Sequence, residues 1–187
     1  MNHTVFESER EIKTFVDLFH GSEVLLEKSK NTISGSYYTT MSSLLLTAFT
    51  FEAYLNHLGE EKISFWQEIE KVSIFNKYKI LCTEFSISIN LGKRPYQTFK
   101  SLFKFRNSIA HGSSQIITDK KVVSLKSDIL EHEPKTQVEE FCTVANAIQA
   151  RKDIEVMIIE LNSYAGLGEF PFSSAMTVSS LTLKNNI

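Results

Sequence analysis

Along most of the chain the apolar positions recur at helical spacing. Phe6, Ile12, Phe15, Val16, Leu18 and Phe19 form one face, continued by Val24, Leu25 and Leu26, so a helix is expected over residues 5 to 30 with Gly21 as its weak point. Asn31 to Ser36 is rich in Asn, Ser and Gly and reads as a turn. From Tyr37 to Leu58 the residues are apolar nearly all round (Leu44, Leu45, Leu46, Ala48, Phe49, Phe51, Ala53, Leu55). That pattern belongs to the central helix of a bundle, here expected to stop at Gly59. Two shorter helices follow, around Ser64 to Val72 and Phe75 to Phe85, with Trp66, Ile69, Tyr78, Leu81 and Cys82 toward the core. Ile87 to Pro95 is a loop.

The stretch Pro95 to Gly112, PYQTFKSLFKFRNSIAHG, reads as one helix with Phe99, Leu102, Phe103, Ile109 and Ala110 on its buried face. Proline suits its first position, and glycine suits a left-handed residue just past its end. After it, Gln115 to Ile117 and Val122 to Leu125 are short β-branched runs on either side of a polar turn, which predicts a small β-hairpin. Thr136 and Glu139 form a capping-box pair that opens a last long helix running to about Tyr164, with Gly166 and Gly168 ending it. The expected architecture is all-α, one domain over residues 1–168, followed by a tail over 169–187 that is either docked in extended form or mobile.

Composition supports this. A chain of 187 residues with 14 phenylalanines can bury a real core, and scarce Gly and Pro favour long helices. Cys82 and Cys142 are isolated and lack metal-ligand spacing, so neither a structural zinc nor a disulfide scaffold is expected. The polar N-terminus does not read as a signal peptide, and the longest apolar run, Ser42 to Leu58, contains Glu52, Asn56 and His57. A soluble, cytoplasmic protein with no membrane partner and no cofactor is expected.

Charge changes the picture locally. The net charge is −2, yet no Asp or Glu occurs between Phe85 and Thr118, where Lys93, Arg94, Lys100, Lys104 and Arg106 all fall. Lys93 and Arg94, just before the helix, and Lys100 and Lys104 on it are candidate phosphate contacts. Arg106 lies seven residues after Phe99, on the apolar stripe, where a guanidinium needs a partner. Glu52 interrupts the stripe of the central helix and is the expected partner. Lys100, Lys104, Asn107 and His111 follow at spacings of four, three and four and make a second, polar line along the helix. Nucleotide-loop, dinucleotide-binding, zinc-protease and nucleophile-elbow motifs are absent.

Arg106-Asn107-Ser108-Ile109-Ala110-His111 resembles the signature of the HEPN superfamily: an arginine, a polar neighbour, and a histidine after four to six positions, here four. The resemblance covers residues 10 to 165, with the motif as its specific part. It implies a HEPN-like helical bundle that dimerises so that two motifs face one cleft. It also implies a metal-independent endoribonuclease acting in a toxin–antitoxin or phage-defence setting, with RNA as substrate and a cognate antitoxin protein as partner. Chemically, the ribose 2′-hydroxyl would attack the adjacent phosphorus and leave a 2′,3′-cyclic phosphate. His111 would move protons, Arg106 would stabilise the phosphoryl charge, and Asn107 would orient His111 or donate to phosphate. Glu52 would hold the fold as an ion pair and align Arg106, with a direct catalytic role as the alternative. Two alternatives remain: a non-catalytic module that binds a nucleotide, RNA or a partner protein, and a motif whose role is purely structural.

Overall fold

The computed structural model describes residues 3–69, 71–120, 122, 132–173 and 177–184, and among them the chain is helical with one small antiparallel sheet. In chain order the elements are β1 (His3–Arg10), α1 (Thr14–Asn31), α2 (Ser36–Lys62), α3 (Trp66–Ile69), α4 (Ile74–Glu84), α5 (Tyr96–Ala110), α6 (Gln137–Phe141), α7 (Val144–Tyr164) and β2 (Thr177–Lys184). No helix among the described residues is long and apolar enough to cross a membrane.

α2 is the axis, with α1, α3, α4, α5 and α7 packed on it. Leu44, Ala48, Phe51, Tyr54, Leu55 and Leu58 are wholly removed from water, and each large side chain so buried contributes about 1.5–3 kcal/mol. The same helix also buries short hydroxyl residues. Thr47 and Thr50 donate back to the carbonyls of Ser43 and Leu46, both at 2.8 Å, and Ser43 reaches across to the Ser22 carbonyl of α1 at 2.7 Å. These three hydroxyls are thereby satisfied, and α1 and α2 approach closely. At Gly21 an added Cβ would lie 3.1 Å from Leu46 Cδ1. Gly21 is therefore a close-approach residue inside an unbroken helix rather than a breaker.

The structure corrects several expectations. Residues 3–10 are extended, not helical, and pair antiparallel with β2, with Phe6 opposite Leu181. Thr4, Val5 and Phe6 favour a strand, and Phe6 is 63% exposed, so it was never part of the α1 face. The sheet is made by the two chain ends. Gln115 to Ile117 and Val122, expected in a hairpin, are irregular, and 123–125 lie outside the described residues. α2 runs through Gly59 for another turn. Glycine stands there because Trp66 packs against it: a Cβ would sit 2.2 Å from the indole ring. The expected last helix is two. Thr136 and Glu139 do form the capping box, but α6 ends after five residues. Thr143 then caps α7, accepting from the Asn146 N–H at 3.1 Å, and Asn146 donates to the Phe141 carbonyl at 2.8 Å. α7 ends at Gly166, φ 73°, where the Leu167 and Gly166 N–H groups reach the Asn162 and Ser163 carbonyls, both at 3.0 Å. The tail docks through Phe172, which stacks on Phe19 at 4.2 Å. Arg151 covers Phe19 at 4.0 Å and donates to the Phe19 carbonyl at 2.6 Å, so α1, α7 and the tail share one anchor.

Gly59→Ala should therefore destabilise, although alanine is normally the better helix residue by about 1 kcal/mol. Overpacking against the buried ring should cost about 1–3 kcal/mol or more. Trp66 is the sole tryptophan, so denaturant unfolding followed by its fluorescence reads the effect directly.

Candidate functional site

α5 is held in place by its aromatic face. Phe99 lies 5.0 Å from Phe51 of α2, 4.7 Å from Phe75 of α4 and 5.1 Å from Phe103, with Leu102 and Phe103 equally buried. Phe105 is buried too, against Phe141 of α6 at 5.2 Å. Ala110, expected in the core, is exposed and Ile109 only half-buried, because α6 covers the Phe105 side instead. Pro95 is the cap just before the helix. Gly112 does not adopt the left-handed conformation expected of it. It is required by space, since a Cβ would meet the Ser108 carbonyl oxygen at 2.9 Å.

This orientation separates the motif into two sides. Arg106 turns toward α2: Nη2 donates to Glu52 Oε2 at 2.6 Å, and the guanidinium lies 5.6 Å from the Phe49 ring and 5.9 Å from Phe103. The pairing expected from the sequence is present, but it is not a buried one. The two side chains keep 25% and 32% of their exposure, because Phe49 is itself a surface residue. On the other side, Lys100, Lys104, Asn107 and His111 are exposed in one row and line a single groove of about 830 Å³, which Phe75 and Leu91 also line. Asn107 joins the two sides. Its Oδ1 accepts from Arg106 Nη1 at 2.9 Å, which leaves its NH₂ for a ligand in the groove.

His111 is the residue at the C-terminal cap, its N–H bonded to the Asn107 carbonyl at 3.0 Å. It lies where the groove meets a second hollow of about 390 Å³, bounded by Gln115, Thr136 and Gln137. Ser108 lines both hollows, but its hydroxyl donates back to the Lys104 carbonyl at 2.9 Å.

The two cations before the helix part company. Arg94 is clamped by Asp153 of α7 through Nε and Nη2, at 2.8 and 2.9 Å, and Gln149 donates to the same carboxylate at 3.0 Å. Its fork anchors the loop that carries Leu91. Lys93 is exposed and lies outside the groove lining. Cys82 and Cys142 are buried, and burial pushes both thiols up to about 11, so neither is a nucleophile at neutral pH. The Phe75–Leu91 wall and Gln137 carried no sequence signal. Phe75 reads as one more core aromatic, and Gln137 reaches the site only because α6 departs from α7.

Comparison with protein-family models, curated proteins and solved structures finds no match to this chain.

Because the Glu52–Arg106 pair is partly hydrated, Glu52→Gln should cost about 1 kcal/mol rather than the several expected of a buried pair. The loss should shrink further in high salt. Urea unfolding of wild type and variant at low and high ionic strength would measure both.

Proposed function

We propose that the chain is a metal-independent endoribonuclease of HEPN type. The carrying observation is that Asn107 and His111 of the RNSIAH motif share one groove with Lys100 and Lys104, while the motif's arginine is fixed beside them. The two lysines attract the phosphate backbone. Histidine is the side chain whose charge changes near neutral pH, so His111 can exchange a proton with the 2′-hydroxyl or the leaving 5′-oxygen. The Asn107 NH₂ donates to a phosphoryl oxygen, held by Arg106. Arg106 lies outside the groove lining, with Glu52 and Asn107 engaging two of its five N–H groups, and it acts there through the Asn107 carboxamide that it holds and through its charge.

The groove is open on one side, and one copy supplies one histidine. We therefore propose a homodimer in which two such sites face each other, in a toxin–antitoxin or phage-defence setting with a cognate antitoxin protein. Light scattering should report twice 21.3 kDa, and a monomer at micromolar concentration would remove this part. A second reading, a non-catalytic module binding a nucleotide, RNA or a partner protein, draws on the fact that Arg106 does not line the groove.

Cleavage separates the two. RNA should be cut in EDTA to a 2′,3′-cyclic phosphate, and DNA or 2′-O-methyl RNA should resist. His111→Ala should lower the rate by about 10²–10⁴-fold with the helical circular dichroism unchanged. Arg106→Lys should fail similarly, since an ammonium cannot engage Glu52 and Asn107 together as the planar fork does. Lys100→Ala and Lys104→Ala should weaken binding and flatten its salt dependence. Ligand retention without RNA cleavage would leave the non-catalytic reading standing.

A further inference from the structure

We infer that β2 is an open docking edge for a second copy of this chain. The two copies of Thr177–Lys184 pair antiparallel about a two-fold axis and make one four-stranded sheet in the order β1, β2, β2, β1. The inference rests on the homodimer proposed above, names the contact that holds it, and uses no part of the cleavage chemistry.

The ribbon of β1 and β2 is incomplete as one copy builds it. Among the described residues neither strand has a helix packed along it, and each leaves one row of backbone N–H and C=O groups without a partner strand. Phe6 is 63% exposed, and Glu7, Ser8, Glu9, Arg10, Ser179 and Ser180 are exposed as well, so water reaches both faces. A lone two-stranded ribbon is marginally stable in water, and independent stability takes further strands or a helix to pack on.

The two edges are not alike. Charged residues are a usual guard on an exposed edge, and β1 carries Glu7, Glu9 and Arg10. An antiparallel β1–β1 pair centred on Glu7 or Ser8 would set glutamate directly against glutamate, which is destabilising. β2 has no charged residue from Thr177 to Leu183 and reaches one only at Lys184. A two-fold pairing within that stretch is free of like charges. Centred on Ser180, it sets Ser179 opposite Leu181, Val178 opposite Thr182 and Thr177 opposite Leu183. The edge that lacks a guard is therefore the one whose sequence accepts itself. A contact between identical edges closes at two copies, and the charged β1 on either outer side stops further strands from adding.

The test uses the full chain with single added cysteines, since Cys82 and Cys142 are buried and will not react. Ser179→Cys and Ser180→Cys should each be linked into a dimer by a short bismaleimide. Glu7→Cys should not, because three strand spacings, roughly 14 Å, separate the two β1 strands. The double variant Ser179→Lys, Ser180→Lys should weaken self-association about tenfold or more, read by light scattering across a dilution series, with the helical circular dichroism unchanged. Should the lysines disturb folding, the cysteine variants still decide. A dimer that keeps its affinity in the lysine variant, or that links through Glu7→Cys and not through β2, would overturn the inference and leave the homodimer standing. A monomeric wild type would overturn both.

Discussion

The burial of α2 is the constraint on which the rest depends. A helix covered by five others cannot rotate or slide without opening the core, so every side chain on it has a fixed direction. Phe51 seats Phe99 and thereby sets the rotation of α5, while Glu52, the next residue, stands at the margin of the same contact and takes the Arg106 guanidinium. Arg106 in turn fixes the Asn107 carboxamide. Three steps thus lead from packing in the core to the direction of one amide in the groove. The ion pair itself stabilises the fold little, since both partners remain partly in water. Its effect is orientation.

The acid-free stretch around α5 looks in sequence like a uniform positive field, but the fold sorts its cations. Asp153 of α7 takes Arg94 and Glu52 of α2 takes Arg106, while among the described residues neither Lys100 nor Lys104 has a carboxylate partner. The arginines, whose planar forks reward fixed geometry, became struts. The lysines, compact charges on flexible stems, stayed in the groove.

What could be read from the sequence was what depends on local spacing. The helical class, the central helix, the Thr136–Glu139 capping box, the Glu52–Arg106 pair and the line from Lys100 to His111 all follow from intervals of three, four and seven along a helix. What could not be read depends on neighbours far along the chain. Gly21, Gly59 and Gly112 looked like punctuation, but each is fitted to an atom pressing on it, and for Gly21 and Gly59 that atom lies in another element. The strand at the N-terminus exists because residues 177–184 come back to pair with it, a contact with no local signal. The break between α6 and α7 was in principle visible, because Thr143 has the right chemistry for a cap. Helical periodicity continued across it and hid it.

The structural alternative for the motif explains one half of it. An arginine between two phenylalanine rings and a glutamate has a complete account as a strut, with no ligand needed. The same account has Asn107 brace the Arg106 guanidinium and His111 end the helix, but it gives no role to Lys100 and Lys104, whose side chains face water. A polar row on a helix surface is ordinary by itself. Here it lines one groove together with Phe75 and a half-exposed Leu91. On the proposed function the strut and the groove belong to one device. Arg106 is held so that Asn107 is held, and Asn107 directs the half of its amide that Arg106 does not occupy into the groove that ends at His111.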